Sequence, residues 1–137
     1  MIMGIDPGVS TGFAFLQDGE YFTHTVTGEL SEIWSFLHRE QPKVISFEDF
    51  KFRPQMMKVE TYSLEVKGVV KLWAGTEVPI FYYLPAAAKA FWSDDKIKKL
   101  GLWKPGHIHE MDALRVLLTH RMSTEADWTK RAMELLK

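Results

Sequence analysis

The sequence contains no cysteine. Disulfide bonds, thiolate metal sites and cysteine nucleophiles are therefore excluded, and carboxylates and histidines remain as the candidate metal ligands. Long apolar runs are missing as well, since none approaches the roughly 18 to 20 residues of a membrane-spanning helix. Residues 1–4 show no basic region followed by an apolar stretch and a cleavage site. We therefore expect a cytoplasmic protein without a membrane partner.

Net charge is also small, at −1, which argues against a uniformly basic nucleic-acid binder. The charges are unevenly placed, because residues 51–104 carry ten Lys or Arg against five Asp or Glu. The rest of the chain is correspondingly acidic. One interpretation is a basic face beside a cluster of carboxylates, which a metal-dependent nuclease needs. The alternative is an ordinary solvated mixture of charges.

With 137 residues, 46% of them hydrophobic, the chain has the size and apolar content of one folded domain. No internal repeat, low-complexity tract or Gly/Ser-rich linker divides it. We predict a single domain over residues 1–137. Mechanisms that need a cleft between two full lobes are excluded on that basis.

Hydrophobic periodicity predicts an α/β fold in the order β-β-β-α-β-α-β-α. Asp18-Gly19 is a strong two-residue hairpin signal between the second and third strands. A strand after the first helix is expected to lie parallel to the first strand. The predicted strands are residues 2–5, 11–16, 21–26, 44–47 and 78–84, and the predicted helices lie within 28–41 and at 57–73, 86–92, 94–100, 108–122 and 124–136.

Acidic residues end two of the predicted core strands. Asp6 follows the first strand and precedes a Pro-Gly turn, and Glu48 ends the strand at 44–47. Carboxylates at the ends of neighbouring strands can approach within the distance at which they share a metal ion. Asp49 competes with Glu48 for this role, but side chains alternate between the two faces of a sheet, so only one of them faces Asp6. We favour Glu48.

A second pair of candidate ligands is His109 and Asp112, three residues apart in a predicted helix. This spacing places both side chains on one helix face, with Cβ atoms about 5 to 6 Å apart. The face borders the apolar residue Met111, so the pair is expected at the rim of the core. Singly, each residue is as easily a helix cap, a surface charge or a structural salt bridge. The set of four makes a metal site the better hypothesis.

The chain resembles the RuvC-type Holliday-junction resolvases of the RNase H-like superfamily. The resemblance covers most of residues 1–122. It is carried by Met3-Gly4-Ile5-Asp6-Pro7-Gly8, Thr11-Gly12, Phe47-Glu48, Gly68 and His109-Glu110-Met111-Asp112-Ala113-Leu114. It implies a five-stranded mixed sheet flanked by helices, a homodimer, and metal-dependent cleavage of branched DNA such as four-way junctions, forks and flaps. Carried over position by position, the catalytic and metal-binding residues are Asp6, Glu48, His109 and Asp112.

The implied mechanism uses two Mg²⁺ ions per active site, with Mn²⁺ as a substitute. Asp6 would bridge the ions, and Glu48 and Asp112 would hold one each. His109 is either a metal ligand or a proton-transfer residue, and the sequence does not separate the two roles. The short chain and the diverged segment after Glu48 are more similar to phage-encoded relatives. The expected location is thus the cytoplasm of a bacterial or phage-infected cell.

Basic and aromatic residues flank the predicted ligands and are candidates for DNA contact. The candidates are Lys51, Arg53, Phe50, Phe52, Lys96, Lys98, Lys99 and Lys104. One of the two phenylalanines would wedge against unstacked bases at a branch point. Packing of both rings beneath their loop is the alternative.

The predicted helix at 57–73 has more apolar residues than one buried stripe requires, including Leu64, Val70 and Leu72. We expect part of this surface to pair with a second copy in a symmetric dimer, with Gly68 allowing close approach.

Three other functions compete with the resolvase hypothesis. The turn Asp-Pro-Gly-Val-Ser-Thr-Gly resembles the phosphate loop of actin-like ATPases, but those proteins close two lobes over the nucleotide. The same nuclease fold could instead act on flaps, forks or RNA–DNA hybrids. A non-catalytic DNA-binding module is the third alternative, and the complete set of clustered carboxylates weighs against it.

Overall fold

The computed structural model describes the backbone of residues 1–49 and 58–137, and the side chains of residues 1–49 and 61–137. Five strands form one sheet in the order β3-β2-β1-β4-β5. The strands are β1 Ile2–Asp6, β2 Ser10–Gln17, β3 Glu20–Thr27, β4 Val44–Glu48 and β5 Ile80–Tyr83. The helices are α1 Leu30–Glu40, α2 Lys58–Ala74, α3 Pro85–Phe91, α4 Asp94–Lys99, α5 Ile108–Thr124 and α6 Ala126–Leu135. The predicted α/β order is confirmed.

The sheet is mixed because two hairpins and two crossovers build it. Asp18 and Gly19 both adopt positive φ, at 52° and 80°, as a tight hairpin turn requires, and Gln17 pairs with Glu20 across it. Strand β1 is antiparallel to β2 and parallel to β4, as predicted, and β4 is parallel to β5.

Strand alternation divides the apolar residues between two cores, one on each face of the sheet. From β1, Met3 and Ile5 join a core with α1 and α2. From β2, Ala14 joins a second core with α5 and residues of α4. In β4, Phe47 lies in the first core, whereas Ser46 faces α5 and donates a hydrogen bond to the carbonyl oxygen of Val116 at 2.7 Å. Even-numbered residues of β1 and β4 therefore face α5.

Helix α5 packs directly on the sheet because two glycines leave room for its backbone. A Cβ atom at Gly4 would lie 2.3 Å from the carbonyl oxygen of Ala113, and one at Gly12 would lie 2.0 Å from that of His109. Real Cβ atoms essentially never come within 3.0 Å of such an atom. Any side chain at these two positions must therefore displace the helix or the strands.

The bounds of one predicted strand and the predicted exposure of one residue are corrected. Strand β5 is shorter than the predicted 78–84, because the amide of Val78 donates to Ala74 at the end of α2 and Leu84 already caps α3. Val70 is fully buried in the core beside α1, so it is not part of a free surface on α2. Leu64 and Leu72 on the same helix are exposed, Leu72 to 74%.

Across the part of the chain that the structure describes, the helices are too short or too polar to cross a membrane.

Candidate active site

Two carboxylates lie side by side where β1 and β4 end. Ile5 pairs with Phe47 in the parallel register, so Asp6 and Glu48 are the next residues along both strands. By alternation both side chains point toward α5. Asp49 points the other way and accepts a hydrogen bond from Lys67 of α2 at 2.8 Å. The structure therefore brings together the pair of acids that the sequence predicts and sends the competitor to the opposite face.

Burial and mutual contact perturb both carboxyl groups. Burial raises the pKa of Asp6 to about 6, the hydrogen bond with Glu48 opposes this rise, and the charge of Asp112 adds to it. The pKa of Glu48 is raised to about 9, mainly by burial and further by the hydrogen bond with Asp6 and the negative charge of Asp6. Near neutral pH and without a cation, the two carboxyl groups therefore share about one proton.

His109 and Asp112 reach the same region from the first turns of α5. Gly12, directly opposite Asp6 in the antiparallel register, lies beneath the backbone of His109. The Nδ1 atom of His109 is 3.7 Å from Oδ2 of Asp6, too far for a hydrogen bond, and its side chain is half exposed. The charge of Asp112 raises the pKa of both Asp6 and Glu48. All four predicted ligands thus lie in one neighbourhood.

A buried glutamate fixes this end of α5 against β3. Glu110 accepts hydrogen bonds from the hydroxyl of Thr25 at 2.8 Å and from Nδ1 of His107 at 2.9 Å. Burial alone would raise its pKa, but hydrogen bonds from Thr23, His107 and Thr25 outweigh burial and lower it. Glu110 is therefore an ionised anchor beside His109, and sequence reasoning did not single it out.

Two basic residues that sequence reasoning also missed contact Asp112. Lys89 of α3 places its Nζ 3.6 Å from Oδ2, and Arg115 donates from Nη1 to Oδ1 at 2.8 Å. The charge of Lys89 also lowers the pKa of both Asp6 and Glu48. The sequence held a signal for both residues. Lys89 is the single charge in the apolar segment Pro-Ala-Ala-Ala-Lys-Ala-Phe, and Arg115 interrupts an apolar run in α5.

The carboxylate oxygens of this site are suitable ligands for a hard divalent cation such as Mg²⁺. Among the described residues, the buried Oε2 atom of Glu48 has no hydrogen-bond partner, which is unfavourable unless another group binds it. A cation bound by Asp6 and Glu48 would satisfy that oxygen and replace the shared proton. In the described residues no three His, Asp or Glu side chains already converge in a metal-binding arrangement.

Of the predicted DNA-contacting residues, Lys98 lies beside the site. It lines an open cleft of about 640 Å³ together with Lys89, Asp112 and Arg115. Three others have contacts elsewhere: Lys96 lies 3.7 Å from the Phe91 ring centroid, and the ammonium groups of Lys99 and Lys104 bond to the Leu136 carbonyl oxygen and the Thr23 hydroxyl. Phe50, Lys51, Phe52 and Arg53 lie outside the described residues. DNA binding by all eight stays a prediction.

Solved structures with a similar fold include two of RuvC from Thermus thermophilus. One is "T. thermophilus RuvC in complex with Holliday junction substrate". The alignment covers 87% of this chain and 91% of the RuvC chain, with a TM-score of 0.64 and 21% sequence identity. The other, "Thermus thermophilus RuvC structure", matches 90% and 96%, with a TM-score of 0.55 and 20% identity. The chain has the RuvC fold.

This fold agrees with the resemblance seen in the sequence motifs. No family model and no curated protein matches the sequence. A phage source stays a prediction.

Proposed function

We propose that this protein is a metal-dependent endonuclease that cuts branched DNA, with the Holliday junction as its main substrate. Such an activity would serve DNA recombination and repair in the cytoplasm of a bacterial or phage-infected cell. The observation that carries the proposal is the buried pair of Asp6 and Glu48, with one unpartnered oxygen, adjoining His109 and Asp112. A structure with the same fold is described as RuvC in complex with a Holliday junction substrate.

Each acid has a proposed place in metal binding. Asp6, which lies between Glu48 and His109, would bridge two Mg²⁺ or Mn²⁺ ions, while Glu48 and Asp112 would hold one each. Two such ions activate a water molecule and stabilise the charge that develops on a phosphodiester during hydrolysis. For Asp112 to contribute, its Oδ2 must exchange the nearby ammonium of Lys89 for the cation.

Protons must move when this site binds a cation. The proton held by Asp6 and Glu48 must leave before both carboxylates can act as ligands, so metal affinity is expected to fall as the pH is lowered. The half-exposed ring of His109 is placed to accept a proton from a water near Asp6, or to bind metal through a neutral nitrogen. Both roles remain open for His109.

The proposed DNA path crosses the cleft beside Asp112. Lys89 and Lys98 line this cleft and would hold phosphate groups next to the carboxylates. The segment that follows Asp49 would add Lys51 and Arg53 and a wedge from Phe50 or Phe52. Branched DNA is favoured because unstacked bases at a branch point are accessible to such a wedge.

A symmetric dimer would allow two strands of one junction to be cut. The exposed side chains of Leu64 and Leu72 on α2, and of Tyr82 on the same face of the sheet, provide apolar surface for a second copy. A Cβ atom at Gly68 would meet nothing within 4 Å, so that position is open to close approach by another helix.

The decisive test of catalysis is Asp6→Asn, which removes the central carboxylate while keeping side-chain size. We expect cleavage of a four-way junction to fall below a few per cent of the parent rate, with junction binding in Ca²⁺ unchanged within about threefold. Asp49→Asn is the matched control, because it makes the same chemical change on the opposite face of the sheet. Equal losses in the two variants, or cleavage by Asp6→Asn above that level, would reject the assignment.

The substrate is tested by comparing a four-way junction, a fork, a 5′ flap, linear duplex and an RNA–DNA hybrid in Mg²⁺ and Mn²⁺. Paired symmetric nicks in the junction support the proposal. Single nicks in forks or flaps would indicate a broader debranching nuclease, and preferred cutting of the hybrid would contradict it. Binding without cleavage of any substrate would instead indicate a DNA-binding module.

A further inference from the structure

Arg115 of α5 is a buried arginine with three separate partners. Its Nη1 donates to Oδ1 of Asp112 at 2.8 Å, and its Nε donates to the carbonyl oxygen of Trp92 at 2.7 Å. Its Nη2 donates to the carboxylate of Asp94, at the start of α4. Only 8% of the residue is exposed, so the charge depends on these partners rather than on water.

The guanidinium is fixed by more than Asp112. The Trp92 carbonyl lies just after α3 and the Asp94 carboxylate belongs to the first residue of α4, so both contacts come from the α3–α4 segment. Because the guanidinium is planar and its donors keep fixed directions, two contacts from that segment set the direction of the N–H group that reaches Asp112. The guanidinium of Arg115 therefore keeps its orientation even when Asp112 exchanges its contact with Lys89 for another group.

That orientation determines how Asp112 presents its two oxygens. Oδ1 is held by Arg115, whereas within the part of the chain that the structure describes Oδ2 has only the looser contact with Lys89, at 3.6 Å. The same carboxylate acts on the pKa values of Asp6 and Glu48, so it lies close to the proposed metal-binding pair. An unrestrained carboxylate would rotate between orientations, and binding a metal would have to immobilise it.

We propose that Arg115 is a positioning residue that holds one oxygen of Asp112 and so presents the other to a divalent cation at Asp6 and Glu48. This inference rests on the proposed function, in which Asp112 is a metal ligand. Partners that orient metal ligands in this way typically change metal affinity or activity by roughly 10- to 100-fold when removed.

A purely structural role is the competing explanation, because Arg115 also ties α5 to the α3–α4 segment. Arg121 supplies a matched control on the same helix. It is equally buried, with 9% exposed, and its guanidinium bonds Glu125 and the hydroxyl of Tyr21, away from Asp112. Loss of Arg121 removes a buried arginine and its ion pair while leaving the contacts of Asp112 in place.

The experiment measures Mn²⁺ binding by titration calorimetry, thermal stability, and kcat and KM for a four-way junction. We expect Arg115→Gln to weaken Mn²⁺ binding by roughly 10- to 100-fold and to lower kcat similarly, with KM within about threefold. Arg115→Lys, which keeps the charge but fewer contacts, should recover part of both losses. Arg121→Gln should lose stability and retain the parent's Mn²⁺ affinity.

Parent-like Mn²⁺ affinity in Arg115→Gln would overturn the inference, and so would an equal loss in Arg121→Gln. If Arg115→Gln does not fold, Arg115→Lys serves as the test. We expect its Mn²⁺ affinity to be a few-fold below that of the parent, and a parent-like affinity would overturn the inference. Asp112→Asn separates the two levels of the proposal. If it weakens Mn²⁺ binding and the Arg115 variants do not, only the positioning role fails. If it does not weaken binding, the assignment of Asp112 as a ligand fails too.

Discussion

Gly12 offers a test of how precisely α5 must be held over the sheet. In Gly12→Ala, the added Cβ would lie 2.0 Å from the carbonyl oxygen of His109, whereas ordinary van der Waals contact begins near 3.4 Å. The obstacle is helix backbone rather than a flexible side chain. The start of α5 must therefore move away from β2 by about 1 Å, carrying His109 and Asp112 with it, and a displacement of that size costs on the order of 100-fold in rate.

The same overpacking is expected to destabilise the fold by about 1 to 3 kcal/mol. Ile33→Val on α1 is the control for stability, because Ile33 is buried in the core on the opposite face of the sheet. Losing one buried methylene there costs about 0.5 to 1.5 kcal/mol without touching α5.

The assay compares junction cleavage, junction binding in Ca²⁺ and thermal denaturation for the parent, Gly12→Ala and Ile33→Val. We expect roughly 100-fold slower cleavage in Gly12→Ala alone, with DNA binding within a few-fold of the parent. A folded Gly12→Ala variant that cleaves at more than about a third of the parent rate would refute the reasoning. Cleavage would then not depend on the exact position of α5 over the sheet.

Three further outcomes are expected. Lys89→Met should slow junction cleavage by at least about tenfold and shift its pH dependence upward, because Lys89 lowers the pKa of both neighbouring carboxyl groups. Lys130→Met, at an exposed position of α6, should leave the rate and its pH dependence unchanged. Burial lowers the pKa of His120 from 6.5, so its contribution to stability is complete above pH 6.5 and is lost as the pH falls through the lowered value. Thermal denaturation from pH 8 to 5 should show a shallower decline in His120→Gln, and parallel curves would contradict this. Leu72→Glu should shift a dimer to monomer in sedimentation at micromolar concentration, and a parent that is itself monomeric with and without DNA would remove the dimer from the proposal.

The sheet and the acid pair were predictable because both depend on short-range patterns. Alternation within β4 is enough to separate Glu48 from Asp49, and the structure shows Asp49 bonded to Lys67 on the other face. The hairpin at Asp18-Gly19 is equally local, because its two positive φ angles demand those residue types. These features need no knowledge of which helix covers which face.

What the sequence left unpredicted depends on contacts between distant segments. Lys89 meets Asp112 only because α3 packs against α5, and no spacing along the chain encodes that contact. The interpretation of Val70 as surface was wrong for the same reason, since its burial depends on how α1 packs against α2. The contact of Arg115 with Asp112 is different, because the two residues lie three apart on α5, a spacing that predicts a side-chain pair. The segment with Phe50, Lys51, Phe52 and Arg53 lies outside the described residues, so its predicted DNA contacts stay predictions.

The order of the site residues along the chain has a consequence for how the protein is made. Asp6 and Glu48 belong to the first half of the chain, but Asp112 lies on α5, which docks onto Gly4 and Gly12 from the other end of the sequence. During translation, the carboxylate pair is therefore synthesised well before the helix that completes the site. A ribosome-bound chain ending before α5 would already contain all five strands of the described sheet and would still lack Asp112. The proposed activity therefore requires α5 to be synthesised and docked.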